Sequence, residues 1–372
     1  MFPDLFATLA VPKAEELVAT PYRHGGKEKA ETFFLTGMTQ AMRRLAEQVH
    51  PSFPCTIYYA FKQAETKTDA GTSSTGWETF LDAVVRAGFA ISGTWPVRTE
   101  LSNRMIGSGT NALASSIVLV CRKRDAAAAT ATRSQLITAL KAELPVALRH
   151  LQEGNIAPVD LAQAAIGPGM AVYTRYAQVL TAEGQPVTVR EALVLINQVL
   201  GETLAEQEGD FDADSRFAIA WFEQYGFDDG PFGEANVLAQ AKVTAINGLE
   251  AAGILTAGRG KVRLLKPSEL PTDWDPLSDP RLTHWETVHH LIRVLDGGGE
   301  TAAAGLVATL GTRAEAAREM AYRLYGISER KKWATEAMAY NGLVQSWSEI
   351  TRLAAEGQQT TLQGQLYADG EA

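Results

Sequence analysis

The spacing of hydrophobic and polar residues changes at about residue 125. Before that point, helical spacing at Lys29–His50 and Trp77–Ala87 alternates with short apolar, β-prone runs. These runs are Cys55–Phe61, Phe89–Trp95 and Ser116–Cys121. Polar segments at 62–75 and 98–115, the second rich in Gly, Ser and Asn, separate them. The first third is therefore predicted to be α/β, with a buried strand at Cys55–Phe61, and Gly88 is expected to end the second helix.

After an Ala/Thr-rich lead-in at 125–133, most of the chain has amphipathic helical spacing. Helices are predicted at 134–152, 187–206, 213–225, 234–253, 283–295, 312–326 and 329–355. Two β-prone runs flank Gly258-Arg259-Gly260, which predicts a hairpin within 253–265. Helix, helix, hairpin is the outline of a winged-helix-like module, and it equally fits a plain helical domain with one hairpin.

Two regions are therefore predicted: an α/β domain at 1–125 and a mainly helical region at 126–372, with a further boundary near 270–282. The polar tail from Gln358 is expected to fray. No internal repeat is visible.

Composition restricts the class of protein. The chain has 372 residues, of which 46% are hydrophobic and 21% charged, as in globular proteins with a buried core. This composition excludes a disordered chain, a collagen-like fibre and a coiled-coil rod. No run of 18 apolar residues predicts a membrane span. The opening Met1–Asp4 has neither the basic nor the apolar part of a signal peptide, so none is expected.

Charge and cysteine content add to this interpretation. The net charge is −9, yet residues 1–125 hold 14 basic and 12 acidic side chains. An acidic chain is not expected to coat nucleic acid indiscriminately, although a local basic groove in the first third is compatible with these numbers. Cys55 and Cys121 lie in apolar segments and are predicted to be reduced core residues of a cytoplasmic protein.

Familiar catalytic motifs do not occur in the sequence. There is no phosphate-binding loop ending in Gly-Lys-Ser/Thr, no His-Glu-x-x-His and no Gly-x-Ser-x-Gly. His289 and His290 are adjacent and would point about 100° apart on a helix, so a shared metal with His284 is not expected. Solvated or capping histidines are predicted instead, and no metal site is proposed.

Residues 55–124, taken together, resemble the C-terminal half of a Rossmann-like S-adenosylmethionine-dependent methyltransferase sheet. Residues 1–125 more specifically resemble large adenine-specific DNA methyltransferases that start with a domain of unknown function and are often linked to phage-defence gene clusters. The matching segments are Phe2–Phe6, Lys13–Leu17, Gly76–Glu78, Ala87–Phe89, Thr94–Glu100 and Arg104–Ser116. The helical remainder, notably Ala321–Tyr325 through Trp333 and Tyr340-Asn341, is similar to the C-terminal region of the same family.

The resemblance implies a fold, a cofactor and partners. It implies that the final two strands of the sheet pair as an antiparallel hairpin, that S-adenosylmethionine serves the full enzyme, and that DNA is its substrate. The family's Asp-Pro-Pro-Tyr motif and its glycine-rich cofactor loop do not occur in these 372 residues. We therefore expect the C-terminal portion of a methyltransferase, either a truncated reading frame or one part of a split enzyme, inactive and without bound cofactor when alone.

No catalytic residue is assigned, and the candidates are for binding. Under the resemblance, Trp95 would line the target-base pocket, and the alternative is a core Trp that covers the sheet. The candidates for contacts with DNA phosphates in or beside the second polar segment are Arg98, Asn103, Arg104, Ser108, Thr110 and Asn111. Their alternative is a structural glycine turn. Lys62 would contact nucleotide or cofactor, and Arg23 and Lys27 would follow the DNA backbone, with solvated loops as the alternative.

A second class of function remains open. The chain would then be a non-catalytic module that binds DNA or a partner protein in a defence or modification complex, with no membrane association. In either case, a sheet that lacks its first strands exposes an unpaired edge and an apolar face. We expect the α/β part to be marginally stable, to aggregate, or to pair with a complementing polypeptide such as the missing N-terminal portion.

Overall fold

A computed structural model describes residues 16–59, 75–98 and 115–368. The protein is mixed α/β with a predominance of helix, and it divides into two compact units. Of the described residues, 16–59, 75–98, 115–147 and 163–200 form the first unit. Residues 148–162 and 201–368 form the second. No helix in the described part of the chain is long and apolar enough to cross a bilayer.

A helical pair precedes the sheet of the first unit. It consists of α1 (Pro21–His24) and α2 (Lys27–Gln48), which confirms the helix predicted at Lys29–His50. The chain then forms β1 (Cys55–Tyr59), α3 (Thr75–Arg86), β2 (Phe89–Arg98) and β3 (Ser115–Lys123). All three predicted strands are present in the described residues. Gly88 has a φ of +91°, a left-handed turn that ends α3 as its position predicted.

The sheet has the order β1-β3-β2, and β3 runs antiparallel to both neighbours. Consequently β1 and β2 are parallel to each other, although they do not touch. The crossover between them includes α3, as parallel strands require. The antiparallel pairing of the last two strands agrees with the expectation from the sequence.

One face of this sheet lies against helix, but the prediction that Cys55–Phe61 is a buried strand was wrong for the described residues of β1. In β1 only Cys55, Ile57 and Tyr59 turn inward, and the alternate residues are exposed. The Tyr59 ring stacks on Phe80 of α3 with 4.2 Å between centroids. A sheet that is covered on one side keeps the two-residue alternation, which a short aromatic run does not reveal.

The first unit continues beyond the sheet. The next elements along the chain are β4 (Thr130–Thr132), α4 (Arg133–Glu153), α5 (Pro158–Thr174), β5 (Gln178–Leu180) and α6 (Val189–Glu206). The division between the two units falls within α4, α5 and α6. Strands β4 and β5 pair in parallel. The sequence did not predict α5, because Gly167, Pro168 and Gly169 are helix-breaking signals. Tertiary contacts override them: a Cβ at Gly167 would lie 2.2 Å from the backbone nitrogen of Thr94 in β2.

The second unit begins with a helix–helix–hairpin arrangement. Its elements are α7 (Ala213–Tyr225), β6 (Gly230–Pro231), α8 (Phe232–Ala241), α9 (Ile246–Ala251), β7 (Leu255–Gly258) and β8 (Lys261–Leu264). The strand order is β6-β8-β7, all antiparallel, so the predicted hairpin is confirmed and gains a third strand. The single helix expected at 234–253 is broken at Val243, whose φ is +61°.

Four helical elements complete this unit: α10 (His284–Leu310), α11 (Arg313–Lys331), α12 (Ala334–Gln345) and α13 (Trp347–Ala368). Helix α10 is interrupted at Gly299, whose φ of +69° is not helical. Thr283 and Glu286 form a capping box at the start of α10. The helix predicted at 329–355 is three segments, because Lys332 adopts a left-handed conformation and a second break follows Gln345. The tail is helical as far as Ala368, further than predicted.

Candidate functional site

The strand ends that are next in sequence to the two polar segments lie at one edge of the three-stranded sheet. Because β1 and β2 are parallel, their carboxyl ends, Tyr59 and Arg98, lie at the same edge. Ser115, the first residue of β3, is opposite Arg98 there. Ligands of open α/β sheets bind outside the carboxyl ends of the parallel strands. We therefore take this edge as the candidate site.

Several predicted residues lie outside the described part of the chain. They are Lys62, Asn103, Arg104, Ser108, Thr110 and Asn111. For Arg98 the structure gives the backbone position at the end of β2. The segments that carry all these residues leave or enter the sheet at the candidate edge.

Trp95 lies close to this edge, and its side chain is 62% exposed. The alternative that Trp95 covers the sheet as a core residue is therefore wrong. Trp95 and Gly93 point to the same face of β2, and a Cβ built on Gly93 would lie 3.7 Å from the indole Nε1. The indole thus lies along the strand above Gly93, where a large side chain would displace it.

Tyr58 belongs to the same face and was not predicted from the sequence. Its side chain is 74% exposed. Val118 of the central strand β3 is paired with Tyr58 of β1 on one side and with Trp95 of β2 on the other. The sequence did contain a signal for the exposure of Tyr58, because Cys55, Ile57 and Tyr59, which point inward, alternate with Thr56 and Tyr58. The prediction of a fully buried strand concealed it.

The charge of this sheet differs from that of the whole chain. Arg98, Arg122 and Lys123 are the charged residues of the three strands, which contain no Asp or Glu. The whole chain has a net charge of −9. Arg122 is exposed and donates a hydrogen bond of 3.3 Å to the Ser52 carbonyl. The sheet is therefore a local cationic region on an acidic protein.

The two basic candidates near the start have nearby carboxylates. Arg23 forms an ion pair with Glu16 at 3.0 Å, and this hydrogen bond raises the pKa of the guanidinium. Lys27 is 3.8 Å from Glu31 one helical turn away. Both pairs are at the surface, where the free energy of such a pair is small and a phosphate can compete for the cation.

A second concave feature of the first unit is a cleft of about 460 Å³ beside α3 and the start of α6. Its side chains include two ion pairs, Glu78–Arg190 and Asp82–Arg86, each at 2.8 Å. Arg124 also lines it and donates to the carbonyls of Val85 and Tyr176. The paired charges indicate a mainly structural role for this cleft.

His289 and His290 are not solvated, which corrects the prediction. His289 and His290 are buried in α10. The His289 ring nitrogens contact the Trp285 carbonyl and the Tyr340 hydroxyl at 2.7 and 2.9 Å, and His290 stacks on Trp274 at 3.9 Å. Burial lowers the pKa of His289 to about 4 and that of His290 to about 3. Both are neutral core residues at physiological pH.

His284 is half-buried and is not itself the cap of a helix, since Thr283 caps α10. It begins α10, and its backbone N–H donates to the Asp212 carboxylate, which also caps α7 by accepting from the Ser215 N–H. Hydrogen bonds from His284 and Ser215 outweigh desolvation and lower the pKa of Asp212. Among the described residues, no group of three or more His, Cys, Asp or Glu side chains is arranged to hold a metal ion.

The two cysteines face each other across the sheet. Cys55 of β1 is directly opposite Cys121 of β3, and both thiols are free. Burial raises the pKa of Cys121 to about 12 and also raises that of Cys55. Neutral thiols are poor nucleophiles, so both behave as structural residues.

The described residues do not fit S-adenosylmethionine. The three strands have no acidic side chain at their carboxyl ends to hold ribose hydroxyls, and no glycine-rich turn joins a described strand to a helix. No step of methyl transfer is therefore assigned to these residues.

Comparison with known proteins identifies one similarity. Residues 212–366 match a family described as Domain of unknown function (DUF8807). This stretch covers the helix–helix–hairpin and most of the long helices of the second unit. No significant match was found among curated proteins or among solved structures.

Proposed function

We propose that this chain is the C-terminal part of an S-adenosylmethionine-dependent, adenine-specific DNA methyltransferase. In this proposal the first unit supplies the end of the catalytic sheet. Its carboxyl edge lies beside the target adenine, and Trp95 forms one wall of the base pocket. The second unit contacts DNA or partner proteins.

The observation that carries the proposal is the pairing within the sheet. The last strand, β3, forms an antiparallel hairpin with β2, and β2 is reached from β1 through a helix. This is the order expected from the sequence resemblance at 55–124. An exposed Trp95 beside the edge that the polar segments share is a second point of support.

The chemistry divides between this chain and residues that it does not contain. An Asp-Pro-Pro-Tyr turn orients the exocyclic amine of adenine toward the methyl donor, so transfer is a direct displacement that depends on positioning. That motif and the cofactor grip would come from a preceding portion or a separate polypeptide. The task left to this chain is to hold DNA and to stack an aromatic wall on the flipped base.

The test is the methylation of genomic adenine in the native cells. Deleting the gene should remove N6-methyladenine at one DNA sequence, as measured by long-read sequencing of genomic DNA. The wild-type gene should restore it. Trp95→Ala should restore it poorly, whereas Tyr22→Ala, which removes an exposed aromatic ring outside the sheet, should restore it fully.

A methylation pattern that is unchanged by deletion would reject the proposal. Calorimetry of the purified chain with S-adenosylmethionine gives a second measurement, and no heat of binding is expected. One-to-one binding, or methylation of duplex adenine by the chain alone, would show that the cofactor grip lies within it.

The alternative is a non-catalytic module that binds DNA or a partner in a phage-defence or modification complex. The cationic sheet with two exposed aromatic side chains favours it, since this feature needs no methyl donor. Loss of phage resistance on deletion, with every adenine methylation site retained, would support this second function.

A further inference from the structure

Tyr58 and Trp95 form an exposed aromatic pair on the sheet face that α3 does not cover. Each is paired with Val118 of the central strand, so the two residues lie in one row across the sheet. With strands about 4.8 Å apart, their backbones are separated by about 10 Å. The exposed face of an antiparallel sheet normally carries polar side chains. Two large aromatic side chains in register on that face point to a ligand.

We propose that this face, the Tyr58–Trp95 platform, binds unpaired bases of single-stranded DNA, with one base stacked on each ring. This inference rests on the proposed function in one respect, the choice of DNA rather than RNA as the ligand. Open sheets that present aromatic rings bind single strands in this way, because every base has a face that can stack. The surface adds to the methyltransferase proposal a second stacking position at Tyr58, beside the wall that Trp95 gives to the pocket for the target base.

The geometry of the platform suits stacking. The indole of Trp95 lies along β2 above Gly93, and 62% of the side chain remains exposed. Val118, which is buried between the two aromatic residues, gives the platform an apolar floor. The separation of about 10 Å means that the rings receive different bases rather than clamp a single one.

Charge complementarity favours a nucleic acid over an apolar polypeptide. Arg122 is the charged residue that the three strands place on the platform face, and the strands contain no carboxylate. Lys123 is in register with the buried Phe89 and therefore belongs to the opposite face. Arg122 is on the same face as Val118, since residues four apart in a strand share a face. Its exposed guanidinium donates to the Ser52 carbonyl and has further N–H groups for phosphate oxygens.

The experiment measures fluorescence anisotropy of the full chain with a labelled 12-nucleotide oligothymidylate, a matching duplex and a matching RNA. We expect the single strand of DNA to bind more tightly than the duplex. Tyr58→Ala and Trp95→Ala should each weaken it by about 5- to 100-fold, from typical base–aromatic stacking. Tyr58→Phe should bind as wild type because the ring remains, and Tyr22→Ala is the matched control on α1.

The ionic contribution is tested separately. Arg122→Ala should reduce the slope of log affinity against log salt by about 0.7, as for one phosphate contact on a single strand. Arg133→Ala removes an exposed arginine at the start of α4 and should leave the slope unchanged. All of these positions are exposed, and unchanged thermal melting of each variant would show that folding is intact.

Several outcomes would overturn the platform. The first is that the Tyr58→Ala and Trp95→Ala proteins bind the oligonucleotide like wild type. The second is a preference of the wild-type protein for the duplex or for RNA. The third is a protein that binds no oligonucleotide but self-associates, and that the same two variants dissociate. Oligonucleotide binding that is unchanged in Tyr58→Ala and Trp95→Ala, together with gene-dependent adenine methylation in cells, would reject this surface alone. Oligonucleotide binding through both rings with no gene-dependent methylation would reject the methyltransferase assignment alone.

Discussion

The hydroxyl of Thr94 donates a 2.9 Å hydrogen bond to the carbonyl of Ala164, a helical carbonyl that has lost its usual partner. In a regular helix that carbonyl accepts from the N–H four residues later, but here the fourth residue is Pro168, which has none. A strand side chain of the first unit thus compensates for a proline within α5. This bond explains how a helix persists through a Gly-Pro-Gly sequence.

Thr94→Val should destabilise the first unit because it leaves the buried Ala164 carbonyl without a donor. The expected loss is about 1–3 kcal/mol of unfolding free energy, the usual cost of an unsatisfied buried acceptor. Pro168→Ala supplies the missing N–H, so Thr94→Val should cost less in that background. A double-mutant cycle by denaturant unfolding measures the coupling, and strictly additive effects would contradict this account.

Gly167→Ala should be more damaging than its size suggests. The new Cβ would lie 2.2 Å from the Thr94 backbone nitrogen, so β2 or α5 must move. We expect a loss of more than about 1 kcal/mol, as for overpacking. Gly201→Ala in α6 is the matched control, because a Cβ there meets nothing within 4 Å and Ala favours helix by about 1 kcal/mol. Equal melting temperatures for the two variants would contradict the close approach.

Glu286 should make the second unit less stable as pH rises from about 4.5 to about 7. Burial raises its pKa to about 7, against an ordinary value of 4.5, and nearby Asp279 and Asp212 add to the effect, although Thr283 donates to the carboxylate. Between those pH values the folded protein keeps a proton that the unfolded chain releases. The unfolding free energy therefore falls as pH rises through this window, by about 3 kcal/mol at most.

Glu286→Gln tests this dependence because the amide keeps an acceptor for Thr283 without the titration. The variant should be more stable than wild type at pH 8 and should show no gain at pH 5, as measured by chemical denaturation at both values. A constant difference between the two proteins at all pH values would exclude the titration of Glu286 as the cause.

His289 and His290 should destabilise the folded protein in acid. Burial lowers their pKa values from 6.5 to about 4 and about 3, so below pH 6.5 the unfolded chain binds protons that the folded state does not. Stability contributed by these neutral rings is complete above pH 6.5 and is lost as pH falls toward 4. Glu286 acts in the opposite direction over part of this range.

His290→Phe removes one of these two titrating groups and so tests its contribution separately. Phenylalanine can still stack on Trp274, and the Nδ1 that it removes is buried without a hydrogen-bond partner in the described structure. Between pH 4.5 and 6, the slope of unfolding free energy against pH should decrease by the equivalent of about one bound proton. An unchanged slope would show that His290 titrates normally.

The sequence by itself determined the local elements of this protein. Amphipathic spacing predicted α2, α3 and α7, β-prone runs predicted the three strands, and Gly258-Arg259-Gly260 marked the hairpin. These features depend on side chains close in the chain, so periodicity and turn chemistry suffice to predict them. The two polar segments at the candidate edge were also visible, because long insertions in an α/β pattern are conspicuous.

Tertiary structure alone decided which faces are buried and which glycines are tolerated. Tyr58 and Trp95 are exposed because helix covers only one side of the sheet, and His289 and His290 are buried because neighbouring helices enclose α10. Helix α5 exists because the Thr94 hydroxyl and a close approach at Gly167 offset its proline and glycines. Each of these results depends on a contact between residues far apart in sequence, and such contacts leave no periodic signal in the chain.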